Sequence, residues 1–458
     1  MQLRRLSVTA LVGLALVACG DDDSEGTVGA ADAAVQDGSS TDTAVAEDGA
    51  VGEDAMAADA AVADTSVAPT GDVVTVTLLD HEPVVMANGL SEPVQVDVPE
   101  NVVSVTVSVM GDADGMYGLG AWRGPDNSVL VTDGWTQGEG GGQGLCLDCP
   151  DRIALSEGAF AAIAPNNPQP ELVPGTHVFT TYGVVPKPVE PVKPDEPPSG
   201  VCHDGACTGL EPVTCPEDCQ PTPAAGEVLV SVHAKIASAA VVPDQGVLDL
   251  NLHFTGAGGW SATSARTDAE FQDLLDAVDT IYSQVGISLG ELHYYDIDES
   301  YQHIESVQGA DSDLMQLFRE SEGSEPDALS LFFVEELSAG SFGGFGVILG
   351  VSGGIPGPPL VQGTHRSGVA IAVAEVEGAP AGHDTTMAHE MGHFLGLFHT
   401  SEQSLGGLIP AIHDPLPDTP ENDETYLMFN TGAGSLLSPW QGRVMRSNPW
   451  VRHEGDAE

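Results

Sequence analysis

Residues 389–399 read His389-Glu390-Met391-Gly392-His393-Phe394-Leu395-Gly396-Leu397-Phe398-His399. At about 3.6 residues per turn, His389 and His393 share one face of a helix, one turn apart. Met387, Met391, Phe394, Leu395 and Phe398 make an apolar stripe on the opposite face, expected to bury in a core. Gly392 and Gly396 fall on the cleft side, where a side chain is expected to crowd a bound ion. Gly396 also suits a sharp turn out of the helix, which brings His399 round as a third nitrogen. Three histidines leave a fourth position for water, as a catalytic zinc requires. Glu390 is then the expected general base, and later the acid for the leaving group. A lone His-x-x-x-His pair on a helix is ordinarily structural, but here five fixed positions agree.

Outward from this stretch, the composition from 226 to 458 is that of a globular domain. Val247–Phe254 reads as a strand, and Thr267–Val285 as a helix with Phe271, Leu274, Leu275, Val278 and Ile281 at helical spacing. Ala328–Val334 and Gly368–Val373 read as buried strands. Downstream come Asp418-Thr419-Pro420 and Tyr426-Leu427-Met428-Phe429. Ser438-Pro439-Trp440 has the form of a helix start, with Ser438 as N-cap and proline in the first turn.

The stretch from His389 to His399 resembles the long consensus of the metzincin metalloproteases. Met428 resembles their methionine turn, and Asp418-Thr419-Pro420 is similar to the pappalysin group. The resemblance covers about the last half of the chain. It implies an α+β domain with a mixed sheet and two helices above a cleft, a small C-terminal lobe below, zinc as cofactor, and a protein or peptide substrate. Relatives carry a tyrosine two residues after the methionine that helps stabilise the tetrahedral intermediate. Asn430 stands there in this chain, and its amide is able to donate to an oxyanion. Tyr426, two residues before the methionine, is a supporting residue rather than a substitute. His365, His383 and His413 are read as loop or supporting residues. Asp414, Asp418, Glu421 and Asp423 form an acidic loop whose oxygens suit calcium, although such runs are usually just solvated.

The N-terminal half is a series of distinct parts. Residues 1–19 carry Arg4 and Arg5, an apolar stretch, and Leu16-Val17-Ala18-Cys19, which resembles the lipobox of bacterial lipoproteins. That resemblance implies export and a lipid on Cys19, the outer membrane being favoured by Gly20. Residues 20–70 lack Lys, Arg and aromatic side chains and read as a disordered acidic tether. Short alternating strands fill 71–185. In Val102–Val109 the period of two predicts one buried and one wet face, hence an antiparallel β-sandwich of jelly-roll type. A Pro-rich linker, 186–201, leads to a small module, 202–219, with Cys202, Cys207, Cys215 and Cys219. Four thiolates on zinc and two disulfides are both open, and export favours disulfides. Cys146 and Cys149 are placed for a local disulfide. The seven cysteines thus divide into a lipid anchor, a pair and a group of four.

The fold class expected is therefore multi-domain: β-sandwich, disulfide-rich module and α+β metzincin-like domain. The 458 residues carry 69 acidic side chains against 13 Lys and Arg, a net charge of −56. Such a polyanion repels phosphate, which excludes nucleic acid as a partner. Beyond the N-terminus no apolar run reaches the roughly 18 residues of a membrane span, so the lipid is the expected link to the envelope. The function expected is a zinc endopeptidase. The alternative is a surface-anchored binding lipoprotein whose metzincin domain is weak or inactive.

Overall fold

Alternating valines build the first sheet. The computed structural model describes residues 73–133, 145–146, 149–187, 219–338, 348–374, 382–402 and 412–453. The tether, the linker, Cys19, Cys202, Cys207 and Cys215 lie outside them. Strands β1 (Val73–Ala87), β2 (Val102–Met110), β3 (Met116–Arg123), β4 (Ala159–Ala164), β5 (Gly175–Val185) and β6 (Gly226–Ala237) are the main members of an eleven-stranded sheet. They follow one hydrogen-bonded path, β4-β2-β6-β1, then through Leu90–Ser91 to β5 and β3. Val105, Val107 and Val109 of β2 share one buried cluster with Leu119 and Trp122 of β3 and Phe179 of β5. The ends of the path thus enclose a common core, and what was expected as two stacked sheets is one curled sheet.

Two features of this sheet differ from the sequence reading. Every residue of β2 from Val102 to Val109 is buried, including Ser104, Thr106 and Ser108. Its supposed wet face is covered, in part by the C-terminal half: the Ser104 hydroxyl donates to the carbonyl of Ser447 at 2.6 Å. The boundary at Gly226 also falls elsewhere. Strand β6 lies between β1 and β2 and pairs antiparallel with both. Val228, Val230, Val232 and Ala234 complete the first core, although the Cys-rich module separates them from it in sequence.

The second half adds β7 (Gly246–Phe254), α1 (Ala269–Ser283), β8 (Ile287–Asp296), α2 (Asp313–Arg319), β9 (Leu329–Val334), β10 (Gly350–Ser352), β11 (Val369–Ala372), α3 (His383–Phe394), α4 (Pro439–Ser447) and β12 (Val451–Arg452). The strand order is β8-β7-β9-β11-β10, with β12 on β7. The pairs β8/β7, β7/β9 and β9/β11 are parallel, and β10 is an antiparallel edge. Asp268 caps α1 by accepting from the Phe271 amide at 3.0 Å, and its expected apolar stripe is buried. That stripe packs with Met387, Met391, Phe394 and Leu395 around α3. Each such side chain contributes about 1.5–3 kcal/mol on burial, against the entropy of ordering it. Ser438 and Gln441 form a reciprocal cap on α4, with Pro439 in its first turn.

A buried lysine joins the halves. Lys235 of β6, 1% exposed, donates to the carbonyls of Arg446, Asn448 and Val451 at 3.0, 2.7 and 2.6 Å. Carbonyls at the end of α4 lack helical partners, and the helix dipole favours a cation there. A second link is the ion pair of Arg366 with Glu157 at 3.0 Å. Cys146 and Cys149 are disulfide-bonded, and Cys219 is bonded as well. Among the described residues, no helix is long and apolar enough to cross a membrane.

Candidate metal centre

Helix α3 carries two imidazoles on a face that its own half of the molecule holds rigid. Met387, Met391 and Phe394 are buried on the opposite side. Tyr282, at the end of α1, donates from its hydroxyl to the Ala388 carbonyl at 2.8 Å, and burial keeps that hydroxyl protonated far above the usual tyrosine range. His389 and His393 are fully buried. Nδ1 of His389 lies 2.6 Å from the Leu427 carbonyl, and Nδ1 of His393 lies 2.6 Å from the Leu397 carbonyl. A carbonyl only accepts, so each ring carries its proton on Nδ1 and presents the Nε2 lone pair. Burial first, then the neighbouring imidazoles of His389 and His399, holds His393 neutral, well below the usual histidine range.

The chain leaves α3 through Gly396, at φ +108°, a conformation that favours glycine. The Gly396 amide closes on the His393 carbonyl at 2.8 Å. His399 then swings back, half-buried, with its Nε2 3.2 Å from that of His389. The ring centroids are 4.6, 4.8 and 5.2 Å apart. One potential ligand atom from each ring lies within 4.8 Å of the others. Among the described residues no other group of His, Cys, Asp and Glu converges in this way. Nε2 of His393 is buried without a hydrogen-bond partner. Such an atom is costly unless something binds it. The donor set therefore fits a metal ion that accepts nitrogen ligands.

Glu390 is also fully buried, one residue from the first ligand. The edge strand β10 passes directly over it: a Cβ on Gly350 would lie 2.6 Å from Glu390 Cγ. Met428 is buried in the turn below, where the Phe429 amide donates to the Tyr426 carbonyl. The two motif glycines serve neighbours other than an ion. A Cβ on Gly392 would meet Met428 Sδ at 2.8 Å, and one on Gly396 would meet Ile163 of β4 at 3.1 Å. Phe398 does not join the core stripe; it is half-buried, with the Arg152 guanidinium 6.0 Å from its centroid.

Most of the remaining candidates have partners of their own. The Tyr426 hydroxyl donates to the Asp418 carbonyl at 3.1 Å. Asn430 holds its Oδ1 buried without a hydrogen-bond partner. Among the described residues the carboxylates of the acidic loop do not converge as a group, and one oxygen each of Asp414 and Asp418 is buried without a hydrogen-bond partner. Asp414 accepts from Leu416 and Thr419, Asp418 from the Trp440 amide, and Asp423 from Thr425, while Glu421 is exposed. His413 binds Ser401 and the Thr419 carbonyl, and His383 begins α3. His365 lies against Gly158. His253 is a buried neutral histidine outside the centre, stacked on Tyr295 and Phe332 and pushed by burial down to about 3. Arg152 and Tyr282 were missed by the sequence reading. Tyr282 extends the α1 stripe by one helical turn from Val278, a legible signal. Arg152 gives none before the fold is known.

No protein-family profile and no curated relative matches the chain. Among the solved structures that resemble part of it, two each match 47% of the chain. One is metalloproteinase-II from Bacteroides fragilis, at 14% identity and TM-score 0.26 over 62% of that chain. The other is a chaperone–substrate complex, at 12% identity and TM-score 0.25 over 36% of that chain. The match thus spans less than two thirds of either, and the chemistry of this centre is read from its own three histidines.

Proposed function

We propose that this protein is a zinc-dependent endopeptidase of metzincin type, with pappalysin-like features, carried by an exported lipoprotein. One observation carries the reading: three imidazoles converge beside a buried glutamate. Two nitrogens each about 2.0–2.1 Å from a tetrahedral zinc lie about 3.3 Å apart. The observed 3.2 Å between Nε2 of His389 and of His399 is that spacing. Zinc held by His389, His393 and His399 would supply an acidified water and a polarised substrate carbonyl.

The chain's own part is proton handling and position. Glu390 takes the proton of the attacking water and delivers it to the leaving amine. The Leu397 and Leu427 carbonyls hold two rings in one tautomer. An extended peptide adding to the edge at β10 would run past Glu390, with main-chain hydrogen bonds fixing its register.

The test is metal analysis of purified protein together with mapping of cleavage sites, wild type against Glu390→Ala. One zinc per chain and chelator-sensitive cleavage are expected. Full cleavage by Glu390→Ala would sink the mechanism, and a wild type that binds no zinc would sink the assignment. The lipid anchor is tested by Cys19→Ser, which is expected to release the protein from the membrane fraction.

A further inference from the structure

We propose that the N-terminal half is a working part of the metal centre, with Arg152 as the positioning residue for His399. This rests on the reading of the three histidines as metal ligands. The rings of His389 and His393 are oriented by carbonyls of the C-terminal half, Leu427 and Leu397. His399 follows a turn that the other half holds. Gly396 is wedged between Ile163 of β4 and Val444 of α4: a Cβ there would lie 3.1 Å from one and 3.4 Å from the other.

Arg152 reaches the same turn from two directions. Its guanidinium donates to the His413 carbonyl at 2.7 Å and lies 6.0 Å from the ring centre of Phe398, the residue before His399. His413 pairs with Ser401, two residues after His399. The next amide, Asp414, donates to the Thr400 carbonyl at 2.9 Å, and the Thr400 amide donates to the Met428 carbonyl at 2.7 Å. A contact at His413 is therefore transmitted by backbone hydrogen bonds to Thr400 and Ser401, directly after His399, while Phe398 before it lies under the guanidinium. Arg152 is itself held in place. Its amide donates to the Asn166 side chain at 2.9 Å, and that side chain donates back to the Arg152 carbonyl at 2.7 Å. The guanidinium is 95% buried with its residue, at 5% exposure, so the contact is not a solvated surface pairing. A planar fork over an aromatic ring is a role lysine fills only in part.

The experiment is a Co2+ titration of the full chain, read by visible absorption. Arg152→Met is expected to weaken Co2+ binding about 10- to 100-fold, as loss of outer contacts to metal ligands does. Its spectrum is expected to lose the form of the three-histidine site. Arg152→Lys keeps the charge and is expected to recover part of both. Glu157→Gln removes a different link between the halves and is expected to leave affinity and spectrum as in wild type. Hydrogen exchange at the Thr400 and Asp414 amides is expected to quicken in Arg152→Lys, which keeps the test alive if Arg152→Met does not fold. Wild-type Co2+ affinity and spectrum in both Arg152 variants would overturn the proposal. So would an equal loss in Glu157→Gln, which would make the effect one of general docking. A wild type that binds no Co2+ would instead overturn the metal reading itself.

Discussion

The centre has a helix side and a loop side, and they are built differently. His389 and His393 stand on α3, which the core of its own half grips through Met387, Met391 and Tyr282. His399 stands on an irregular segment whose neighbours include Ile163 and Phe398, the latter under Arg152. The helix side depends on residues close in sequence or in the same core. The loop side depends on a contact between His413 and Arg152, 261 residues apart. Regular structure delivers two ligands cheaply, and the third needs a wall supplied from elsewhere in the chain.

The largest break on the helix side is chemical. Glu390→Ala is expected to lower kcat by about 10²–10⁴ while the protein keeps its metal, as parallel turnover and metal assays would show. The two glycines compare the sides directly. Gly396→Ala forces a side chain into positive φ against Ile163 and Val444, and should cost about 1–3 kcal/mol in urea unfolding. At Gly392 the crowded atom is Sδ of the buried Met428, a side chain that gives more readily than backbone, and alanine recovers about 1 kcal/mol of helix propensity. Gly392→Ala should therefore change stability far less; an equal loss at both sites would erase the distinction.

Tyr282→Phe removes one donor to α3 and should cost about 1 kcal/mol without altering metal affinity. The last effect is a slope with pH on the loop side. Asp151, beside Arg152, accepts from the Asn166 amide, and burial raises its carboxyl from 3.8 to about 8. The folded form holds a proton that the unfolded form has released above pH 3.8, so this contribution is full at low pH and is lost as pH rises toward 8. Asp151→Asn should flatten that part of the stability profile of the metal-free protein, measured by denaturant melts.

The helix side was legible because its signals are periodic. The spacing of His389 and His393, the α1 stripe and the Ser438 cap each follow from one local rule, and each appears in the structure. The loop side was not, since Phe398 reads as one more core residue until Arg152 arrives over it. The alternation in β2 predicted its valine face correctly and its polar face wrongly, because Ser104 is covered by a helix end more than 300 positions away. In the acidic loop, residue type suggested an ion, and the structure shows one oxygen of Asp414, Asp418 and Asp423 each accepting from an amide, with no convergence of the carboxylates among the described residues.

Strand β6 has a consequence for how the molecule can be made and cut. Among the described residues it is the strand that lies between β1 and β2 in the hydrogen-bonded path, yet it follows the entire Cys-rich module in the chain. An emerging chain cannot complete its first sheet until residue 237 has left the ribosome, because β6 pairs with both β1 and β2. Conversely, a nick between Lys187 and Cys219 leaves the pairing of β6 with β1 and β2 intact. The two fragments would stay together through the ladders of β6 and the anchor of Lys235, and would travel as one particle on a sizing column while running as two bands in detergent once the disulfide of Cys219 is reduced.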